Sequence, residues 1–349
     1  MRYTIFGESH GPAIGVVLEG LPSGLALDMA AVEREMARRA PGRNPLSTAR
    51  KEADRVEILS GLFEGRTCGT PLCAVIANTD TRSGDYQNDL PRPGHADYTA
   101  QIRYGGFQDY RGGGHFSGRL TAPLVFAGAV ARQILAGRGV TVGAHIARIG
   151  PVEDTPLDRV HPDPALLAAV AAKPFPTISD EAGEQMRRCI YEAKEQLDSV
   201  GGAIECCVLG MPAGQGSPDF GCNVEGIVSQ HLFAVPAVKA VAFGDGFGFA
   251  SMRGSEANDP IRMENGQIVT TTNRTGGVNG GITNGMPIVF TVALRPTASI
   301  SRPQQTVSLS RRENAELIVR GRHDPCIVHR AVPVVEAACA LAMCEILGI

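Results

Sequence analysis

The sequence predicts an α+β fold of antiparallel sheets and helices, built as two related halves. Three observations predict it. Strands come in consecutive runs separated by hairpin-length turns, Val56–Ser60 and then Leu72–Ala77, which suits antiparallel sheets with helices packed outside better than a doubly wound parallel sheet. The 349 residues include 42 Gly and 23 Pro but no Trp, so the chain is dense in turns and close backbone approaches, unlike a helical bundle. It also repeats itself once. Ala13–Gly24 matches Ala203–Gly214 at an offset of 190, and Gly65, Thr67, Gly69 and Pro71 recur as Gly281, Thr283, Gly285 and Pro287 at an offset of 216.

Within each half the order is strand, Pro-Gly turn, charged helix, two strands, Gly-rich loop and helix. Ala13–Gly24 reads as a strand and then a turn, and is followed by a helix over Asp28–Arg39. Asp28 is placed to cap it, Val32 and Met36 share a face, and Arg38 and Arg39 close the last turn. Strands Val56–Ser60 and Leu72–Ala77 follow, and after a Gly-rich loop an Ala-rich helix covers Leu120–Leu135 with Pro123 near its start. The second half answers with a helix in Asp180–Val200, the strand after Ala203, a strand at Ile288–Leu294 and a helix at Arg330–Leu347 with Pro333 near its start. One domain over 1–349 is expected, its halves near 1–150 and 177–349 joined by a Pro-, Asp- and Ala-rich surface excursion at 151–176.

Composition excludes several function classes. Lys and Arg number 33 against 36 Asp and Glu, a net charge of −3, so no global basic field holds nucleic acid and any anion site is local. Leu120–Gly137 carries Arg132 within a helical pattern, so no membrane span is expected. Nine cysteines without a C-x-x-C pair, and an N-terminus without a signal-peptide apolar region, point to reduced thiols in a cytoplasmic protein. Acidic metal clusters and an H-E-x-x-H pattern are absent, which disfavours a metal-dependent hydrolase; no metal is expected.

The chemistry-bearing residues cluster in Gly-rich loops. Phe6–Pro12 sets Ser9 beside His10, and Arg92–Asp97 pins His95 on a Gly-Pro turn. Either histidine alone reads as a solvated loop residue. Two such loops suggest acid catalysis, because imidazole exchanges protons near neutral pH. Arg111–Arg119 places three glycines between arginines before a helix, an anion-binding arrangement that is neither a P-loop nor a dinucleotide fingerprint. Arg295–Ile300 and Gly321–Cys326 each put a cation beside hydroxyls or a carboxylate, and Cys326 is a weak nucleophile candidate. The basic run Arg34, Arg38, Arg39, Arg43, Arg50 and Lys51 reads as a solvated helix end or as an arm that closes over an anion.

Gly7–Gly11, Arg92–Asp97, Tyr110–Gly114, Asp198–Gly202, Ala237–Lys239, Gly244–Phe247 and the stretch from Gly321 through Arg330 to Pro333 together resemble the chorismate synthase family. Seven segments in order span nearly the whole chain. The resemblance implies a β-α-β sandwich, a homotetramer and a lyase of the shikimate pathway. The implied reaction is a 1,4-anti elimination of phosphate from 5-enolpyruvylshikimate 3-phosphate, giving chorismate. Reduced FMN is implied too, required without net redox change.

By the same resemblance His10 is suited to protonating flavin, His95 to easing phosphate departure, and Asp324 to accepting a proton near flavin N5. Flavin contacts map onto His115, Phe116, Ser117, Pro236, Ala237, Gly280, Arg295, Pro296, Thr297, Ala298, Ser299 and Arg322. Anion holders for substrate map onto Arg39, Arg119 and Arg330, with Ser9 alongside and Arg43 in place of a basic residue that aligns with Pro45. Two departures stand out: His115-Phe116 occupies a place commonly filled by Arg-Ser, and Arg295 one frequently filled by Lys. Two other classes fit parts of the chain. A flavin- or nicotinamide-linked oxidoreductase would show net flavin oxidation, and a non-enzymatic anion- or RNA-binding protein is favoured only by the basic run and opposed by 5% aromatic content. Without a nucleotide fingerprint, an external flavin reductase is expected to supply reduced FMN rather than an NADPH-dependent activity of the chain's own.

Overall fold

Two antiparallel sheets face each other across a layer of helices in this computed structural model, which describes residues 1–42, 46–47, 52–81, 84, 87–319 and 323–349. The first sheet contains β1 (Arg2–Gly7), β2 (Ala13–Glu19), β3 (Val56–Ser60) and β4 (Leu72–Ala77), ordered β1-β2-β4-β3. The second contains β5 (Thr141–Ile149), β6 (Val152–Glu153), β7 (Gly202–Leu209), β8 (Val238–Phe243) and β9 (Ile288–Leu294), ordered β8-β9-β7-β5-β6. Apart from the two-residue β6 the orders coincide, with β5, β7, β9 and β8 standing for β1, β2, β4 and β3. Side chains alternate as a half-buried sheet requires: Ile14, Val16 and Leu18 pair with Ile76, Ala74 and Leu72, and all six are buried.

The helices are α1 (Met29–Arg39), α2 (Asp97–Arg103), α3 (Thr121–Ala136), α4 (Pro164–Ala172), α5 (Asp180–Glu195), α6 (Val224–Phe233), the single turn α7 (Gly254–Ala257) and α8 (Val328–Ile346). Asp28 caps α1 as expected, its carboxylate accepting from Ala31 N at 2.9 Å. The expected helix positions hold, and so does the β-α-β layering that the resemblance implies; the expectation from the strand pattern, helices packed outside, does not. Rather than packing outside, α3 lies on the first sheet and α8 on the second, the two pack against each other, and α1 and α6 flank them. The reason is their composition, because a helix that is apolar on every side has two faces to bury and sits between layers.

The two halves also divide differently from the sequence expectation. Thr141–Ile149, expected in the first half, is β5, hydrogen-bonded to β7 in the second sheet. The helix standing where α1 stands is α6, which follows β7 as α1 follows β2; α5 precedes β7 and packs along the β5–β6 edge. The segment expected as a surface excursion contains α4, whose Leu167 forms a small outer core with Leu157, Cys207 and Val289.

Between the central helices the backbones touch. A Cβ on Gly128 of α3 would stand 2.2 Å from Ala337 Cβ of α8, closer than atoms can approach. Gly128→Ala is therefore expected to destabilise the protein by overpacking, about 1–3 kcal/mol. That should outweigh the gain of about 1 kcal/mol in helix propensity. Equilibrium urea denaturation measures it, and an unchanged or higher midpoint would show that the helices part without loss.

Candidate active site

The loop Gly112–Gly114 is the pivot of the site. Its three residues have φ of 61°, 82° and 53°, and each lies against something a side chain would displace. A Cβ on Gly112 would come within 2.5 Å of His10 Nε2, and one on Gly113 within 3.1 Å of His95 Nε2. Bare backbone thus separates the two imidazoles, and only glycine tolerates both the conformation and the approach. Ser9 N donates to Gly114 O at 3.1 Å, which ties the His10 loop to the same turn.

His95 stands on the turn before α2. Its Nδ1 lies 2.7 Å from Asp97 Oδ1, and Asp97 in turn receives Arg92 Nε at 2.7 Å and Nη2 at 2.8 Å. Burial would raise the Asp97 carboxyl, but hydrogen bonds from Arg92 and His95 win and hold it well below the usual carboxylate range. Arg92 Nη1 reaches across to Ser299 Oγ at 3.0 Å, and the Arg295 guanidinium donates to Gly94 O. The His95 turn is therefore gripped by the second half at the end of β9.

Three arginines line the same cavity as the two histidines. Arg39 donates from Nε to Thr121 Oγ1 at 3.1 Å, from Nη1 to Asp54 at 2.6 Å and from Nη2 to Gly118 O at 3.0 Å. Arg119 holds the other Asp54 oxygen, with Glu52 at 3.0 Å and Asn78 at 3.0 Å. Arg330 binds both Asp324 oxygens through Nη1, at 2.7 and 2.9 Å, and Arg39 O through Nε. Burial, followed by repulsion from Arg330 and Arg119, pushes the Arg39 guanidinium down to about 10 against the pull of Asp54, so it stays charged at neutral pH. Burial alone would raise Asp54; Arg39 and Arg119 hold it below its ordinary value.

Both histidines and the three arginines line one cavity of about 870 Å³, within the usual size range of cofactor sites. It gathers His10, His95 and Asp324; Ser9, Arg39, Arg119 and Arg330; and His115, Phe116, Ser117, Pro236, Ala237 and Arg295–Ser299. The sequence scattered them over some 320 positions, and the fold brings them together. Gly280 is the exception, at the turn of the hairpin Val278–Asn279/Ile282–Thr283 and outside the cavity lining. Arg43 and Arg322 lie outside the described residues. The basic run is not an arm where it is described: Arg34 pairs with Asp28, Arg38 with Glu35 and Glu336, and Arg39 is buried. Cys326 is no nucleophile, since burial pushes its thiol up to about 12.

The cavity can receive a flavin. Thr297 Oγ1 is buried at its wall with no partner among the described residues, Ala237 holds a left-handed φ of 75° there, and His115 donates Nδ1–H to Gly7 O at 3.0 Å, which leaves Nε2 without a partner among the described residues. Phe116 turns its ring toward Tyr104, centroids 6.3 Å apart.

Two imidazoles, a carboxylate and arginine forks around one cavity define an acid–base site for an anionic substrate. Comparison with known proteins says which. The chorismate synthase family profile matches residues 1–347. Chorismate synthase from Aeropyrum pernix is 49% identical, covering 99% of this chain and 90% of that one, and the enzyme from Thermococcus gammatolerans is 47% identical, covering 99% and 95%. A crystal structure of chorismate synthase superposes with a TM-score of 0.78 at 28% identity, covering 99% of this chain and 91% of the other. The chain belongs to the chorismate synthase family. It is a phosphate-lyase of the shikimate pathway, acting on 5-enolpyruvylshikimate 3-phosphate with reduced FMN.

Sequence reasoning missed Asp54, Glu52, Arg92 and Asp97 as site residues. Asp97 had a signal, two positions from His95 within one turn. Asp54 had none, because Lys51-Glu52-Ala53-Asp54-Arg55 reads as a solvated charge run. Asp54→Asn would leave two buried guanidinium groups short of a counter-charge, and breaking such a pair costs about 3–5 kcal/mol. Because its folded-state pKa is depressed, Asp54 stabilises above the unfolded carboxylate value of about 4 and loses that contribution as pH falls through the lower folded value. Denaturant midpoints from pH 7 to 3 should thus start lower and fall less steeply in Asp54→Asn. Parallel curves would contradict this.

Proposed function

We propose that His10 and His95 supply the acid side of the elimination and Asp324 its proton acceptor. In the reaction a ring C–O bond to phosphate and a C–H bond break, and a second ring double bond forms. Reduced FMN, held in the cavity, would supply electron density without being consumed, which fits a requirement without net redox change. The observation that carries the reading is the placement of both imidazoles on one Gly112–Gly113 backbone, facing a cavity walled by Arg39, Arg119 and Arg330. His95 donates from Nε2 to the departing phosphate, where negative charge develops. His10 would hold a proton beside the bound flavin. Asp324, with both oxygens on Arg330 Nη1, accepts the proton that leaves.

Arg330 Nη2 has no protein partner among the described residues, which makes Arg330 the guanidinium readiest to take a substrate anion. Arg39 and Arg119 are already bound to protein carboxylates and act by charge and placement, with Ser9 beside them. The flavin is assigned to His115, Phe116, Ser117, Pro236, Ala237 and Arg295–Ser299. Reduced flavin comes from an external reductase, and the nine unpaired thiols suit a cytoplasmic location.

Anaerobic assays with reduced FMN and 5-enolpyruvylshikimate 3-phosphate, following phosphate release, test the assignment. His10→Ala and His95→Ala should each lower kcat by about 10²–10⁴-fold, the worth of general acid–base groups. Asp324→Asn should slow turnover even at saturating substrate. NADPH with oxidised FMN should not replace reduced FMN. Near-normal kcat in both histidine variants would remove the acid assignment.

The chain forms a homotetramer in this reading. Its support is the set of exposed apolar side chains around α2, where Ile102 is 67% and Phe107 95% exposed, a surface that a subunit contact would cover. Light scattering should return about four times the 36.8 kDa chain mass. A monomer in solution would refute it.

A further inference from the structure

His95 Nδ1 has two close neighbours, and they make opposite demands. Asp97 Oδ1 at 2.7 Å can only accept a proton, whereas Arg92 Nη2 at 3.1 Å can only donate one. One nitrogen cannot satisfy both. The Asp97 carboxylate is ionised, held there by two guanidinium donors and by Arg92 N at 3.0 Å, and a bare nitrogen lone pair would not settle so near a carboxylate oxygen. The proton therefore lies on Nδ1, pointing at Asp97, and Arg92 Nη2 serves the same Asp97 oxygen at 2.8 Å. That leaves Nε2, packed beside Gly113 at the cavity, as the nitrogen free to exchange.

We propose that Asp97 is the positioning residue of His95: it fixes the ring orientation and the Nδ1–H form, so that Nε2 alone gives and takes the catalytic proton, while Arg92 keeps Asp97 ionised. The proposal rests on the acid role given to His95 above. The grip reaches further than the turn. Arg92 Nη1 is held by the buried Ser299 hydroxyl and Arg295 by Gly94 O, so the His95–Asp97–Arg92 relay is registered against the loop assigned to flavin. A carboxylate used in this way acts through the imidazole and never touches substrate.

The test is a double-mutant cycle in the FMN-loaded enzyme. Asp97→Asn should lower kcat by about 10²-fold, within the range of general acid–base groups, with the substrate KM and FMN affinity within about twofold of wild type. Added to His95→Ala, the same substitution should change kcat by less than about twofold, because the group it positions is gone. Equal losses in both backgrounds would overturn the assignment and leave Asp97 a structural residue. Full turnover in His95→Ala would instead remove the acid role itself, and the proposal with it. Should Asp97→Asn fail to fold, nitrogen-15 NMR of histidine-labelled wild-type protein decides. The ring signals that vanish in His95→Ala should show Nδ1 protonated, and a neutral ring carrying its proton on Nε2 would overturn the proposal.

Discussion

The close approach of α3 and α8 is the constraint on which the site depends. At Gly128 and Ala337 the two helices meet backbone to side chain, and their N-terminal portions, with Leu124 and Val334, open together onto the cavity. Arg119 immediately precedes one helix and Arg330 sits in the first turn of the other, so the contact sets the spacing of the guanidinium groups. Both N-terminal ends favour negative charge, in keeping with a substrate that carries phosphate and carboxylates. Deeper in the layer, Glu336 of α8 is fully buried and accepts from Arg38 of α1, Arg132 of α3 and Ala144 N of β5. Burial opposes its charge, but Arg38 and Arg132 prevail and hold the carboxyl below its ordinary value. One carboxylate thereby fixes three helices and a strand, and removing any partner would strand a buried charge.

The cationic wall is largely compensated before any substrate arrives. Arg39, Arg119 and Arg330 are matched by Asp54, Glu52 and Asp324, so the fold bears their burial without a ligand and their charges are fixed in place. Preorganisation of this kind stabilises developing charge without reorganisation at the moment of reaction. His329, next to Arg330, adds no charge to the wall. It is stacked on Phe175, burial pushes its pKa down to about 4, and its ring stays neutral at working pH.

What could be read from the sequence was local. The turns carrying His10, His95, the three glycines and Asp324 are each contained within a dozen residues, and glycine beside histidine is a signal that survives without coordinates. The Asp28 cap and the positions of α1, α3 and α8 were legible for the same reason. The layering came from the family resemblance and not from the residue pattern, which put the helices outside although a trace existed: α3 has apolar residues on every face, the mark of a helix covered on both sides. The start of the second half was hidden because the detectable match begins at its second strand, β7, while β5 precedes it by a long insertion. Long-range charge pairing, such as Asp54 with Arg119, is invisible to periodicity and local chemistry alike.

That insertion also explains why the related halves contribute unequally. The tight β1–β2 turn carries Ser9 and His10; the equivalent β5–β7 connection runs through α4 and α5 and offers no loop of that kind. Its histidine is used differently. His145 of β5 is buried with Nδ1 3.0 Å from Asp154 and Nε2 3.0 Å from Glu205, and these carboxylates outweigh burial and raise its pKa. Glu205 continues to Arg159 and Leu157 N, stitching the inserted segment to the second sheet. With both nitrogens committed and the ring outside the cavity lining, that imidazole holds structure. In this reading proton handling by imidazole falls to the first half, whose turns stayed short, while the second half supplies the Arg295–Ser299 loop, Asp324 and Arg330.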